Sequence, residues 1–309
     1  MKDNIAFSDY PRSYYLYFKR YFDAFLRYQK AYKNFLHVLK QVRSDNFPIR
    51  AILRNGKIIT LNSKVEAATT AYGQGNFVIE NNLLIINQNN FPEIKLKGWE
   101  NNADLYEIFF LNSYKFLPVI DSQIIDIGAN IADSSIYFAL QGAEKVIAVE
   151  LVPQNFEFAK ENIELNNLSD KISLILGGCS NKRGHVIFDP TKTGMGHSVK
   201  SSDTQGIEVP LLTLEDIIDY SDSESLLLKL DCEGCEYDTI LSTSDKTLRN
   251  FSHIFIEYHF GYLDLRDKLK NAGFDITIGS PSYYRHPFIK DKKSFIGYLY
   301  AKRKSDKNL

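Results

Sequence analysis

The sequence predicts an α/β fold, in which a mostly parallel sheet with a final antiparallel strand follows an N-terminal helix and a small β-rich region. From about residue 119, strand-like apolar runs alternate with helix-like runs, which is typical of a parallel sheet between helices. The last two strand-like runs are joined by a linker too short for a crossover helix, which predicts an antiparallel last strand. We therefore expect an accessory region at 1–115 and the α/β domain at 116–309.

The bulk composition sets the class of protein. The chain has 309 residues, 44% hydrophobic and 24% charged, which is ordinary for a globular protein. A net charge of -1 gives no overall field that would attract nucleic acid, so we predict no nucleic-acid partner. Three cysteines form no secreted disulfide framework, and the start lacks the apolar core of a signal peptide. These features predict a cytoplasmic protein.

The N-terminal region begins with an aromatic and basic run. Residues 10–42 are predicted to form one long helix, with Pro11 in its first turn. The favoured interpretation is that its aromatic face packs on its own domain or on a second subunit, as in a homodimer; the alternative is contact with an anionic membrane surface. Residues 48–90 are predicted to form strands, with hairpins at Asn55-Gly56 and Asn81-Asn82, and residues 102–114 a helix.

The α/β domain follows from local patterns. Its predicted strands are "SQIIDI", "KVIAVEL", "ISLILGG", "HVIFDP", "IEVPLL", "SLLLKLD", "HIFIEYH", "FDITIGS" and "SFIGYLYAKRK". Helices are predicted at 131–141 and 153–166, in "LEDIIDY" after the N-cap Thr213, from near Glu236, and in "YLDLRDKLKNAG", which Gly273 ends.

A ligand site is predicted where parallel strands end. In open α/β sheets, ligands bind beyond the carboxyl ends of the strands, which selects the turns at 126–130, 150–152, 177–180, 231–235 and 257–261. A glycine at 128 allows a ligand to approach the backbone closely. An acid at 150, about twenty residues further on, can accept both hydroxyls of a ribose. These turns therefore predict a site for the nucleoside half of a cofactor.

The same turn indicates which cofactor. A pyrophosphate is usually held by GxGxxG, whereas "DIGANIADS" has Asn130 and Ala132 where glycines would help, and Asp126 adds a negative charge. S-adenosylmethionine (SAM) has a ribose, an adenine, a sulfonium and an ammonium but no phosphate. The residues therefore favour SAM over NAD. The alternative is a tight turn with a buried acid and no ligand.

Three segments resemble a known family. "IIDIGANIADSS", "VIAVELVPQNFEFAKENI" and "LLLKLDCEGCEYDTIL" resemble the FkbM family of SAM-dependent methyltransferases, and "TLEDII" and "IFIEYH" also match it. The resemblance covers roughly residues 104–302. It implies a Rossmann-like class I methyltransferase sheet and an enzyme that methylates a hydroxyl of a glycan or sugar-bearing metabolite. One departure is Ala132, where the family has a glycine.

The resemblance and the strand-end positions together assign the cofactor-binding residues, which are Asp126, Gly128, Ala129, Asn130, Glu150, Leu151, Gly178 and Cys179. Asp126 would face the methionine ammonium or a water, and residues 128–130 would form the backbone wall. Glu150 would hold the ribose diol. Leu151, Gly178 and Cys179 would border the adenine, with core packing as the alternative for Leu151 and Cys179.

The catalytic residues are predicted at the ends of two later strands. A sulfonium methyl is already electrophilic, so the protein must position the acceptor and remove its proton, and no metal is required. The candidate bases are Asp231, Glu233 and His259. Helix capping is the alternative for Glu233 and the favoured role of Glu236, and a structural role is the alternative for His259.

The CxxC at Cys232 and Cys235 has no second ligand pair, so we predict no metal site there. We favour two small packed residues at this position over a redox pair.

Two loops are candidates for acceptor choice. "TKTGMGHSVK" contains His197, and "SPSYYRHPFIKDKKS" contains Tyr283, Tyr284, Arg285 and His286, which suit a polyhydroxylated acceptor. The alternative is a solvated surface loop in each case. Two other functions stay open: a non-catalytic binding or scaffold protein on a methyltransferase fold, which Ala132 motivates, and an NAD-dependent oxidoreductase.

Overall fold

The computed structural model describes residues 4–73, 77–87, 91–102, 104–188, 206–223, 226–284 and 294–305. The chain divides into two compact units. One is Phe18–Phe116, and the other combines the described part of Met1–Tyr17 with Leu117–Leu309. The segment up to Tyr17 thus groups with the α/β unit, whereas the sequence predicts it to be part of the accessory region.

The N-terminal helical run contains two helices, α1 (Tyr10–Ala31) and α2 (Phe35–Arg43). The prediction of one long helix was therefore wrong. The backbone N–H of Lys33 donates to the carbonyl of Ile52 at 2.7 Å, and the side chain of Asn34 accepts from the Ile52 N–H at 2.8 Å. Helical hydrogen bonding stops at this point because the chain pairs with a strand that lies further along the sequence.

The aromatic residues of α1 are only partly covered. Tyr15, Phe18 and Phe22 are each more than 60% exposed. Tyr14 and Tyr17 of this helix do show the predicted packing on their own unit, because both rings contact Tyr283. The second-subunit and membrane-surface interpretations stay predictions. None of the helices among the described residues has the length and apolar character needed to cross a membrane.

Both predicted hairpins of the accessory unit are confirmed. β1 (Ile49–Ile52) and β2 (Ile58–Leu61) pair antiparallel around Asn55-Gly56. β3 (Phe77–Glu80) and β4 (Leu83–Ile86) pair around Asn81-Asn82, whose two residues both have positive φ, and β5 (Ile94–Leu96) pairs with β4. Positive φ at both central residues is the geometry that a two-residue hairpin loop requires.

The expectation of strands alone over residues 48–90 was wrong, because α3 (Lys64–Gly73) lies between the hairpins. The Ser63 hydroxyl accepts the N–H of Glu66 at 3.0 Å, and the Glu66 carboxylate accepts the N–H of Asn62 at 2.6 Å. A Ser followed three residues later by Glu is a start signal for a helix that was readable in the sequence. The helix predicted over 102–114 is confined to one π-helical turn, Tyr106–Phe110.

The α/β unit contains the main sheet and a small side sheet. Its strands are β6 (Gln123–Ile127), β7 (Lys145–Glu150), β8 (Ile172–Leu176), β9 (Gly178–Cys179), β10 (Gly184–Phe188), β11 (Ile207–Leu212), β12 (Leu226–Leu230), β13 (Phe251–Tyr258), β14 (Phe274–Ile278), β15 (Ser282–Tyr284) and β16 (Ser294–Arg303). Its helices after α1 are α4 (Asp133–Leu140), α5 (Pro153–Leu165), α6 (Leu214–Ile218), α7 (Cys235–Ser242), α8 (Asp245–Leu248) and α9 (Leu263–Asn271). These bounds confirm the alternation predicted from the sequence.

The main sheet runs in the order β14-β16-β13-β12-β6-β7-β8, with β15 paired to β16. β8, β7, β6, β12 and β13 are parallel, and β16 is antiparallel to both β13 and β14, as predicted. β6 and β12 are buried along their whole length, which explains their continuous runs of Ile and Leu. Because β6 lies between β12 and β7, the turns after these three strands meet at one edge of the sheet.

Candidate active site at the carboxyl ends of the central strands

The turn after β6 is shaped by its approach to the loop after β12. Gly128 has a φ of +79°, and a Cβ at this position would lie 1.8 Å from the carbonyl oxygen of Asp231. The N–H groups of Gly128 and Ala129 both donate to the carbonyl of Val149, at 3.0 and 3.1 Å. The sequence explained this glycine by ligand approach. The structure shows that the protein's own backbone already requires it.

Asn130 and Ala132 complete the turn with φ values of +50° and +65°. Asparagine adopts this region readily, whereas alanine pays a steric penalty of about 1 kcal/mol there. Ala132 is fully buried at the N-cap of α4, so its methyl group is accommodated inside the fold. The departure from the family glycine therefore leaves the turn intact.

Asp126 has no exposed surface, and its carboxylate is held by protein groups. Its Oδ2 accepts hydrogen bonds from Ser134 and Ser135 at 2.7 and 2.6 Å, and its Oδ1 makes an ion-pair contact of 3.1 Å with Nζ of Lys229, without hydrogen-bond alignment. This network differs from the predicted contact with a methionine ammonium. Because the carboxylate is fully buried, Asp126 fixes the start of α4 to β12.

Lys229 is a functional candidate that the sequence analysis missed. It is buried in β12, and its Nζ donates to the carbonyl of Gly128 at 3.0 Å and lies 3.9 Å from Asp231. Burial lowers the pKa of Lys229, but the charges of Asp126 and Asp231 outweigh burial and raise the pKa above its ordinary value. In the sequence, Lys229 is indicated by its position as the single charged residue within the apolar run "LLLKL".

Glu150, the last residue of β7, bridges the first two turns. Its Oε2 accepts the N–H of Asn130 at 2.8 Å, and its Oε1 accepts the N–H of Val152 at 2.7 Å. Burial raises the pKa of Glu150 to about 7, although both backbone donors favour the ionised form. Each oxygen keeps a second lone pair, so the carboxylate can accept further hydrogen bonds from a ligand.

The residues predicted to border an adenine separate into two groups. A Cβ at Gly178 would lie 3.0 Å from Leu151 and 2.8 Å from Leu211, so both leucines lie directly over this glycine. Cys179 instead is buried in the hydrophobic core, and burial raises the pKa of its thiol to about 11. For Cys179 the structure therefore shows the core-packing alternative.

An imidazole surrounded by carboxylates lies where β12 and β13 end. His259 is buried, and its Nδ1 lies 3.1 Å from Oε1 of Glu236. Its Nε2 lies 3.4 Å from Oε2 of Glu233 and 3.9 Å from Oδ1 of Asp231. We call Asp231, Glu233, Glu236 and His259 the acid–histidine cluster. The predicted catalytic residues are thus brought together, and Glu236 joins them.

The charge state of His259 follows from this cluster. Burial lowers its pKa, but the carboxylates of Glu236, Glu233 and Asp231 outweigh burial and hold the pKa well above the ordinary value. An imidazolium has no free lone pair, so this raised pKa disfavours the predicted role of His259 as a base. Burial raises the pKa of Asp231, and the charges of Lys229 and His259 oppose that shift. Asp231 is 18% exposed, which leaves its carboxylate accessible.

The loop between Asp231 and α7 is closed by a disulfide between Cys232 and Cys235, whose Cα atoms are 5.5 Å apart. The preferred interpretation of two unpaired packed residues was wrong, because the CxxC spacing lets the two sulfur atoms meet. The backbone N–H of Cys232 donates to Oε1 of Glu236 at 2.9 Å. Glu233 lies inside the closed loop with a φ of +58°, next to His259.

The candidate acceptor loops are only partly described. Tyr283 stacks on Tyr14 with 5.0 Å between ring centroids and packs against Phe295, so this ring is part of the fold of its own unit. Arg285, His286 and the loop with His197 lie outside the described residues, and the side chain of Tyr284 does too. The proposed acceptor contacts of these residues stay predictions.

Strand order and turn chemistry define the class of protein. The sheet order, the antiparallel β16 between β13 and β14, and the glycine turn after β6 are those of a class I methyltransferase fold. Residues 126–276 match the model of the methyltransferase FkbM domain. The match confirms the predicted resemblance to the FkbM methyltransferases over these residues.

Individual relatives are similar over shorter stretches. A tRNA(Phe) (4-demethylwyosine(37)-C(7)) aminocarboxypropyltransferase of Pyrococcus horikoshii is 42% identical over 53 residues, 17% of this chain and 19% of that protein. A ribosomal protein L11 methyltransferase of Carboxydothermus hydrogenoformans is 40% identical over 52 residues, 17% of each chain. The chain thus matches less than a fifth of the length of these curated relatives.

Among solved structures, a precorrin-6y C5,15-methyltransferase from Geobacter metallireducens aligns with 64% of this chain and 89% of its own. Its sequence identity is 14% and its TM-score 0.39.

Proposed function

We propose that this protein is a SAM-dependent methyltransferase that methylates a hydroxyl group of a glycan or sugar-bearing metabolite. One observation carries the cofactor assignment: at the carboxyl edge of the sheet, buried or nearly buried carboxyl groups outnumber the cations beside them. The carboxyl groups are Asp126, Glu150, Asp231 and Glu236, and the cations are Lys229 and His259. Such an edge favours a ligand with sulfonium and ammonium groups over one with phosphates.

The residues of the first two turns fit the nucleoside of SAM. Glu150 is held in place by two backbone N–H groups and can accept the ribose hydroxyls through its remaining lone pairs. Leu151, which is half-buried, offers an apolar surface beside it for the adenine ring. When bound, SAM supplies an electrophilic methyl group.

The acid–histidine cluster fits the acceptor side of the reaction. An acceptor hydroxyl loses its proton as its oxygen bonds to the methyl group, so a carboxylate within reach accelerates the step. Asp231, which is partly exposed, accepts that proton in our proposal, and Glu233 is the second candidate base. His259 and Lys229 are positioning residues, because their charges hold Asp231 at the end of β12.

Isothermal titration calorimetry with SAM tests the cofactor assignment. We expect Glu150→Ala to weaken binding about tenfold or more, because charge-assisted hydrogen bonds contribute about 1.5–3 kcal/mol. Glu144→Ala, which removes an exposed acid before the same strand, should bind as the wild type does. Unchanged affinity in a folded Glu150→Ala variant would contradict the assignment.

A transfer assay distinguishes the enzyme from the scaffold alternative. With methyl-labelled SAM and a panel of free sugars and oligosaccharides, we expect label in an ether linkage that survives base treatment. SAM binding without transfer to any hydroxyl acceptor would instead favour the scaffold function.

A further inference from the structure

We propose that the acid–histidine cluster is a binding site for a divalent transition-metal cation. Asp231, Glu236 and His259 would be the buried ligands, and Glu233 would close the site toward solvent. The sequence predicted no metal site, because the CxxC lacks a second ligand pair and methyl transfer from a sulfonium requires no metal. The inference deepens the proposed function, on which its catalytic meaning rests, by naming what activates the acceptor hydroxyl.

The spacing of the side chains suits one ion. Single ligand atoms from Asp231, Glu236 and His259 lie within 4.8 Å of one another. The imidazole nitrogens lie 3.1 Å from Glu236, 3.4 Å from Glu233 and 3.9 Å from Asp231. Ligand atoms that are each about 2.1 Å from one ion are about 3.0–3.5 Å apart. The observed limit of 4.8 Å is wider than this spacing, and Glu236 faces Nδ1 of the imidazole whereas Asp231 faces Nε2, so the side chains would converge on one ion after shifts of about 1 Å.

Glu236 gives an independent indication of a ligand. Its side chain has no exposed surface, and its Oε2 has no hydrogen-bond partner among the described residues. Its Oε1 is already shared by the N–H of Cys232 and the ring of His259. A buried carboxylate oxygen without a donor is costly, and a cation in the cluster would satisfy it.

The charges agree with this indication. Three carboxylates of the cluster face one imidazole, and Lys229, which lies 3.9 Å from Asp231, also contacts Asp126. A divalent cation would balance the cluster by taking the place of the imidazole proton. One imidazole with several carboxylates suits Mn²⁺, Fe²⁺, Co²⁺ or Zn²⁺, whereas Mg²⁺ and Ca²⁺ favour oxygen ligands alone.

The position of the cation indicates its role in the reaction. The cation would lie at the ends of β12 and β13 and bind one carboxylate oxygen of Asp231, which would leave the other oxygen to accept the acceptor proton. A hydroxyl bound to a divalent cation loses its proton at much lower pH than a free one, as bound water does. The cation would thus hold the acceptor oxygen in its reactive, ionised form.

Manganese binding by the full chain tests the proposal without SAM or acceptor. After dialysis against EDTA and then buffer, titration with MnCl₂ is followed by the loss of the free Mn²⁺ signal in electron paramagnetic resonance. We expect one saturable site, from which Zn²⁺ displaces Mn²⁺ more effectively than Mg²⁺ does. Glu233→Gln and Asp231→Asn should each weaken binding about tenfold or more.

The matched control is Asp238→Asn, which removes an exposed acid of α7 outside the cluster and should bind Mn²⁺ as the wild type does. Glu233 is 46% exposed, so Glu233→Gln is expected to fold even where Asp231→Asn does not. Absence of a saturable site, or equal affinity in the wild type, Glu233→Gln and Asp238→Asn, would overturn the proposal. Such a result with intact SAM binding would leave the cofactor assignment standing.

Discussion

The backbone N–H of Asn130 donates to the carboxylate of Glu150 across 2.8 Å, so one hydrogen bond joins the turns after β6 and β7. The two turns are therefore held together by one buried carboxyl group, that of Glu150. The pKa of about 7 makes this acid sensitive to pH near neutrality.

SAM affinity should rise as pH increases from 6 to 8. With a pKa of about 7, Glu150 is mostly protonated at the lower pH and mostly ionised at the higher pH, and only the ionised form accepts two hydroxyl donors well. The change in the ionised fraction corresponds to about tenfold in affinity. Calorimetry across this range measures it, and Glu150→Gln, which does not titrate, should lose the dependence. Parallel pH profiles for the two proteins would contradict the assignment.

The same carboxyl group should make the native state less stable as pH rises from about 4.5 to 7. Its pKa is raised from an ordinary 4.5, so in this window the native state holds a proton that the unfolded chain has released. Its contribution to stability is complete below pH 4.5 and is lost as pH passes 7. Urea denaturation measures the unfolding free energies of the wild type and Glu150→Gln. As pH rises from about 4.5 to 7, the wild type should lose stability relative to the variant. A flat difference would show that the group titrates normally.

Gly128→Ala should cost about 3 kcal/mol or more of unfolding free energy. The added methyl group would lie 1.8 Å from the Asp231 carbonyl oxygen, and the φ of +79° is unfavourable for alanine. The steric clash and the backbone strain both lower the unfolding free energy. Gly184→Ala is the control, because a Cβ there meets Leu211 only at 4.0 Å. Denaturant unfolding compares the two, and a Gly128→Ala variant within 1 kcal/mol of wild type would refute the close approach.

Lys229→Met should destabilise the protein by about 3–5 kcal/mol, because it leaves the Asp126 carboxylate buried without its cation. Adding Asp126→Asn removes that charge and should recover a large part of the loss. Thermal and denaturant unfolding of both variants tests this coupling. Asp126→Asn is also measured alone in the wild-type background. If it lowers the unfolding free energy by the same amount there as in the Lys229→Met variant, the two residues are independent.

Reduction of the disulfide between Cys232 and Cys235 should lower the unfolding free energy by about 2 kcal/mol, the chain-entropy value for a loop of about four residues. Urea denaturation with and without dithiothreitol measures it. The double variant Cys232→Ser/Cys235→Ser should be insensitive to the reductant. If dithiothreitol lowered the unfolding free energy of this variant as much as that of the wild type, the loss would not arise from the disulfide.

The sequence by itself determined the α/β unit. Its strands and helices follow local patterns of apolar residues, and short linkers fix the direction of β16, so element types and the edge that carries the turns were predictable. The glycine turn, Glu150 and the run around Asp231 were found in the same way, because strand ends in such a sheet are set by chain order.

Only the tertiary structure decided what depends on contacts between distant segments. The break between α1 and α2 arises from the pairing of Lys33 and Asn34 with Ile52. The pKa of His259 is raised by carboxylates of α7 and of the loop after β12, which together outweigh its burial. Gly128 is required by the backbone of Asp231, and no spacing along the chain encodes that approach, because it exists only when neighbouring strands are packed side by side.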